Sequence, residues 1–173
     1  MIDLTLTAGS PADGIVRFQF GPSMGHSLPS TALQLALNDD GVHTVWHEAG
    51  HAFMRPTIAR NATRIDALNR LFDAENAALK RQNIATWEYA FEENVVRAVV
   101  AVLIGDASGA DAMHAECRLQ AADGFAWVPT ISELLARELV AHRDMYPTLD
   151  AFTDRLLALL ATRKSVSDAA VVP

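Results

Sequence analysis

The chain has 173 residues, half of them apolar and a fifth charged, with a formal net charge of −7 at pH 7. That length and composition fit one ordinary globular domain with a proper core, spanning residues 1–173. The acidic balance argues against nucleic acid or an anionic membrane surface as main partner, no stretch is apolar and long enough to span a bilayer, and the lone cysteine, Cys117, excludes both an internal disulfide and a cysteine-based zinc site.

At the N-terminus Ile2, Leu4 and Leu6 alternate with polar residues, as in a half-buried strand. There is no basic start and no continuous apolar core, so no signal peptide is visible and a cytoplasmic location is expected if the N-terminus is complete. Ser10 to Gly14 reads as a turn, and Ile15 to Phe20 as a second strand able to form a hairpin with the first. Residues 21–29 are loop, and 31–37 suit either a third strand or a short helix. Residues 1–41 are therefore expected to be strands and loops, and 42–163 a helical part. Asn38-Asp39-Asp40-Gly41 is a turn and helix-entry signal, from which a helix should run over about residues 42–55 until Pro56 ends it.

That helix carries His47-Glu48-Ala49-Gly50-His51. Residues four apart share a helical face, so His47 and His51 can aim two imidazoles at one point, as a tetrahedral zinc ion requires. Glu48 follows the first ligand, where a carboxylate can take a proton from water as general base. With six histidines in the chain, a chance match is on the order of one in a hundred. The bland alternative is a pair of core histidines, but two imidazoles and an acid on an apolar helix are costly to bury without a metal or specific partners. Gly50 costs helix propensity, which hints at close approach by another backbone.

Residues 62–82 predict an amphipathic helix with Ile65, Leu68, Leu71, Phe72 and Leu79 as its apolar stripe and no demand for chemistry. Thr86 is a candidate N-cap for a helix over 87–104 that is apolar almost all round, so it should be central, with Gly105 at its C-cap. Its first half nevertheless carries Glu88, Glu92, Glu93 and Arg97. Residues 111–123 predict a helix stopped by Gly124, 125–129 a loop or short strand, and 130–143 and 148–163 two amphipathic helices, the second capped by Thr148. Residues 164–173 read as a frayed tail.

A catalytic zinc needs a third protein ligand and a position left for water. None of His26, His43, His114 and His142 lies at the short spacing after His51 used by metzincins. A carboxylate on a later helix is the other common solution, and spacing alone leaves Glu88, Glu92 and Glu93 open. From His47 onward the chain resembles the bacterial zincin-like family known as domain of unknown function 4932. The matching residues are the His47–His51 motif, then Trp87-Glu88 with Tyr89, Glu93-Asn94-Val95-Val96-Arg97-Ala98, and Arg143-Asp144-Met145-Tyr146-Pro147-Thr148. The resemblance implies a gluzincin-type third ligand at Glu93. It departs at the front, where the family usually carries a longer region, often behind a signal peptide, and only 46 residues precede His47 here.

On a helix, Glu93 shares a face with Tyr89, Arg97 and Val100, while Glu92 shares one with Glu88, Val96 and Val99. Arg97 can then orient Glu93, or else anchor its helix to the motif helix, and Glu92 should matter much less than Glu93. Tyr89, Tyr146 and His142 are candidate oxyanion donors, each with packing or capping as the plainer role. The expected fold is α+β, a mainly helical zincin-like domain with a small N-terminal sheet packed on the metal helix. The expected function is peptide-bond hydrolysis on a peptide or protein substrate, with one zinc ion per chain held by His47, His51 and Glu93 and with Glu48 as base. The alternatives are a zinc-binding structural or interaction domain without catalysis, and a chance motif in a helical bundle.

Overall fold

A computed structural model describes residues 39–73 and 76–163, together with the backbone of three short extended segments. The expectations for residues 2–6, 21–29 and 164–173 lie outside the described residues. The chain divides into two compact units, Met1–Trp46 and His47–Pro173.

In the first unit Thr7–Ala8 (β1), Ile15–Arg17 (β2) and Leu35–Ala36 (β3) pair antiparallel in the order β1-β2-β3. Among the described residues the pairs are Thr7 with Arg17 and Ala8 with Val16, then Ile15 with Ala36 and Val16 with Leu35. The α+β expectation is corrected. The described body of the chain, residues 39–163, contains no strand, and the fold is helical.

Helix α1 spans Asp39–Asp66 and so begins at the predicted entry signal, but it passes through Pro56 instead of ending there. The pattern of burial explains why. His51, Met54, Ile58 and Ile65 are buried at helical spacing, so one face continues across the proline. Pro56 sits on the opposite, exposed face, as does Ala52, whose carbonyl loses its donor. An interior proline costs about 3 kcal/mol. Burying Ile58 and Ile65 beyond it returns about 1.5–3 kcal/mol each, enough to carry the helix through.

The predicted helix over 62–82 is accordingly three pieces: the end of α1, a 3₁₀ turn at Asn69–Leu71, and a short helix α2 at Ala77–Arg81. Its apolar stripe is real, since Ile65, Leu68, Leu71 and Leu79 are all buried. Asn76 caps α2, accepting from the backbone N–H groups of Ala78 and Leu79.

Helix α3, Trp87–Ser108, is the central element, and Thr86 is its N-cap, with the side chain accepting from Tyr89 N–H. Ala90, Phe91, Val95, Val96, Ala98 and Ala101 are buried around most of its circumference. Its end comes later than expected. Gly109, at φ +96°, takes the terminus, while Gly105 stays inside the helix with room for no Cβ, which would lie 2.9 Å from Met113 Cβ. Met113 belongs to α4 (Ala110–Ala122), which ends just before Gly124, at φ +100°.

Helix α5 is Val128–Leu134, with Pro129 in its first turn, so the residues expected as loop are partly helix start. It runs into a π-helical turn over Leu135–Val140, and α6, Leu149–Ala161, follows with Thr148 as its N-cap. Polar contacts fasten these elements to α3 and α1. Trp87 Nε1 donates to the Ile65 carbonyl at 2.7 Å, and Trp127 Nε1 to the Leu71 carbonyl at 3.0 Å. Asn94 donates to the Ala90 carbonyl at 2.7 Å and accepts from Trp127 N–H at 3.0 Å. On the surface Arg60 and Arg64 of α1 reach Asp150 and Asp154 of α6. No helix among the described residues is long and apolar enough to cross a membrane.

Candidate metal centre

Two helices of the second unit supply the site. His47 and His51 lie one turn apart on α1, their rings edge to face with centroids 4.7 Å apart. Glu93 comes from the second turn of α3 and is buried. The helices can meet here because residue 50 has no side chain. A Cβ on Gly50 would lie 2.9 Å from Val96 Cγ1, so the close approach is by a side chain of α3 and not, as expected from the sequence, by another backbone.

The three donor atoms converge. His47 Nε2 is 3.1 Å from His51 Nε2, His51 Nε2 is 3.3 Å from Glu93 Oε1, and His47 Nε2 is 3.7 Å from Glu93 Oε2. One ligand atom from each residue can be chosen so that all lie within 4.8 Å of one another. Zinc–ligand bonds of about 2.0–2.1 Å at tetrahedral angles put ligand atoms about 3.3 Å apart. The donor set fits zinc in chemistry, and its spacing brackets that value, from 3.1 Å between the imidazole nitrogens to no more than 4.8 Å across the set. Without a cation, two imidazole nitrogens and a carboxylate oxygen facing one another would need protons between them.

Each of the two more buried residues of the cluster, His51 and Glu93, is held from behind. His51 Nδ1 lies 2.6 Å from Glu92 Oε1, an oxygen that also accepts from Arg55 Nε at 3.4 Å. Glu93 Oε2 accepts from Arg97 Nε at 3.0 Å. Arg97 then donates from Nη1 to Gln120 Oε1 at 2.7 Å, and Gln120 donates to Glu116 Oε1 at 2.6 Å. The Arg97 guanidinium lies 3.8 Å from the centre of the Phe125 ring, a cation–π contact. Arg97 therefore pairs with Glu93, the contact that the first of its two weighed roles requires, and among the described residues its further hydrogen bond goes to Gln120 of α4.

Burial holds the His47 imidazole below its ordinary range; Glu93 opposes the shift, while Arg97 and His51 add to it. The favoured neutral imidazole is the form that binds a metal. Glu48, next to His47, is exposed, and its carboxylate makes no hydrogen bond or ion pair among the described residues.

Of the oxyanion candidates, Tyr89 lies one turn before Glu93 and is 43% exposed. Tyr146 stacks edge to face on Phe152, and His142 is exposed at the turn after the π-helical segment, where its carbonyl accepts from Met145 and Tyr146 N–H. Among the described residues neither side chain forms a hydrogen bond or ion pair with the His47–His51–Glu93 cluster. Sequence reasoning missed two residues. Glu92 figured only as a rival ligand expected to matter much less than Glu93; it faces Nδ1 of His51, while Glu93 faces Nε2 of His51 and of His47. Gln120 left no signal at all, because nothing local distinguishes a glutamine that receives an arginine from one in water.

A search of curated proteins and of solved structures finds no match to this chain. The family model described as Domain of unknown function (DUF4932) matches residues 31–159, a span that takes in both helices of the cluster, and the chain belongs to that family.

Proposed function

We propose that the domain is a zinc-dependent hydrolase, a zincin-like metallopeptidase acting on a peptide or protein substrate. The observation that carries this reading is the convergence of His47, His51 and Glu93, one ligand atom from each within 4.8 Å of the others, in the two-histidine, one-carboxylate combination that suits a tetrahedral zinc ion. His47, His51 and Glu93 would hold the ion. When bound, zinc supplies Lewis acidity to water and to a substrate carbonyl.

The remaining chemistry belongs to the chain. Glu48 adjoins the first ligand and is exposed, so it is open to solvent and substrate. It takes the proton from the attacking water and returns it to the leaving amine. Arg97 keeps the Glu93 carboxylate oriented through one oxygen. A second reading, a zinc-binding structural or interaction domain without catalysis, draws on Tyr146 being engaged with Phe152, which leaves Tyr89 as the tyrosine available for an oxyanion.

The test is zinc content together with hydrolysis of a mixed peptide library. Wild-type protein should carry about one zinc per chain, as a single three-ligand site requires. His47→Ala and His51→Ala should lose it. Glu48→Gln should retain zinc while hydrolysis falls by roughly two to four orders of magnitude. Zinc bound without hydrolysis in the wild type selects the second reading, and no zinc bound sinks both.

A further inference from the structure

We propose that Glu92 is a positioning residue for metal binding: its carboxylate takes the Nδ1 hydrogen of His51 and so presents the Nε2 lone pair to the site shared with His47 and Glu93. This rests on the zinc reading and adds to it a residue outside the ligand set.

An imidazole can serve a metal through either nitrogen, and its ring can turn over in a loose pocket. Both freedoms are removed here. Glu92 Oε1 stands 2.6 Å from His51 Nδ1, a short contact of the charge-assisted kind, and the two side chains are only 13% and 10% exposed. A carboxylate accepts hydrogen bonds, so the nitrogen facing it carries the hydrogen and the opposite nitrogen is left as the acceptor. That opposite nitrogen, Nε2, is the one 3.1 Å from His47 Nε2 and 3.3 Å from Glu93 Oε1.

The arrangement follows from helix geometry. Successive residues on a helix point about 100° apart. Glu92 and Glu93 therefore leave α3 in different directions and meet the same imidazole at different edges. Arg97 does for Glu93 what Glu92 does for His51, holding Oε2 at 3.0 Å while Oε1 faces His51. Arg55 cannot replace Glu92, because it is 73% exposed and touches the same oxygen at 3.4 Å.

The experiment uses the full chain as Glu92→Ala and Glu92→Gln. Zinc affinity is measured by competition with a chelator of known affinity. The His51 tautomer is read in metal-free protein from long-range proton–nitrogen NMR correlations, a signal that a merely structural role would not move. In Glu92→Ala the zinc Kd should rise by about 10–100-fold, the range for losing a ligand's outer partner, and His51 should lose its single Nδ1–H tautomer. Glu92→Gln keeps an acceptor without the charge, so the tautomer should persist with a smaller loss of affinity; this variant carries the test if the alanine variant fails to fold. Wild-type zinc binding with a Kd within about twofold in both variants and an unchanged tautomer overturns the role of Glu92 alone. Wild-type protein that binds no zinc overturns the zinc reading and this inference with it.

Discussion

Replacing Gly50 by alanine sets two calculable effects against each other. On helix propensity alone the change should stabilise α1 by about 1 kcal/mol. Against this, the new Cβ would lie 2.9 Å from Val96 Cγ1, with Val96 Cγ2 at 3.5 Å and Cβ at 3.7 Å. Carbon atoms in contact prefer about 3.5–4.0 Å, so roughly half an ångström or more must be found. Val96 cannot give it. The side chain is fully buried, and a β-branched residue that rotates about χ1 replaces one methyl with another. Overpacking of this kind costs about 1–3 kcal/mol, so the variant should come out net destabilised by about 0–2 kcal/mol in urea unfolding. The second consequence is local. If α1 moves off α3 at residue 50, His51 moves with it, away from Glu93, whereas metal–ligand distances tolerate only about 0.2 Å. Zinc affinity should fall by on the order of tenfold, comparable to losing an outer partner of a ligand. A variant about 1 kcal/mol more stable than wild type, with zinc affinity unchanged, would refute the close contact between α1 and α3 on which the site depends.

Pro56→Ala restores a backbone donor to the exposed Ala52 carbonyl and should raise stability by about 1–3 kcal/mol, seen as a higher urea midpoint with an unchanged slope; an unchanged or lower midpoint would mean that α1 does not run straight through the proline. The Asp150 carboxyl is held below its ordinary value by hydrogen bonds from Arg60 and then Thr57. Because the folded value is the lower one, the stability this provides is complete above the unfolded value and is lost as pH falls through the folded value. The stability difference between wild type and Asp150→Asn should therefore shrink as pH is lowered from about 6 to below about 3, and a difference that stays constant would show that the α1–α6 contact does not depend on that charge.

What the sequence made legible here is what repeats locally. The 3.6-residue period exposed the buried stripe of Ile65, Leu68, Leu71 and Leu79, Thr86 and Thr148 marked two helix starts, and the motif's i, i+4 spacing put both imidazoles on one face. What stayed hidden depended on balances between distant parts of the chain. Pro56 signals a helix end, yet the apolar face beyond it outweighs the lost bond.

The adjacent acids on α3 show where such limits matter for function. A helix with Val95, Val96 and Ala98 fully buried gains nothing in stability from Glu92 and Glu93 beside them. Moving a carboxylate out of water costs several kcal/mol, and a close ion pair seldom returns more than that. Apolar residues there would make a more stable helix pair. Each acid is nevertheless matched to its own partner, Glu92 to a histidine nitrogen at 2.6 Å and Glu93 to an arginine nitrogen at 3.0 Å. Both end beside the same imidazole. Stability does not account for so specific a set of polar partners inside an apolar contact. A cation at the convergence of His47, His51 and Glu93 does, because it would neutralise the inner carboxylate and give the two imidazole lone pairs a common acceptor. Each inner ligand then needs an outer group to hold its orientation, which are the places that Glu92 and Arg97 occupy.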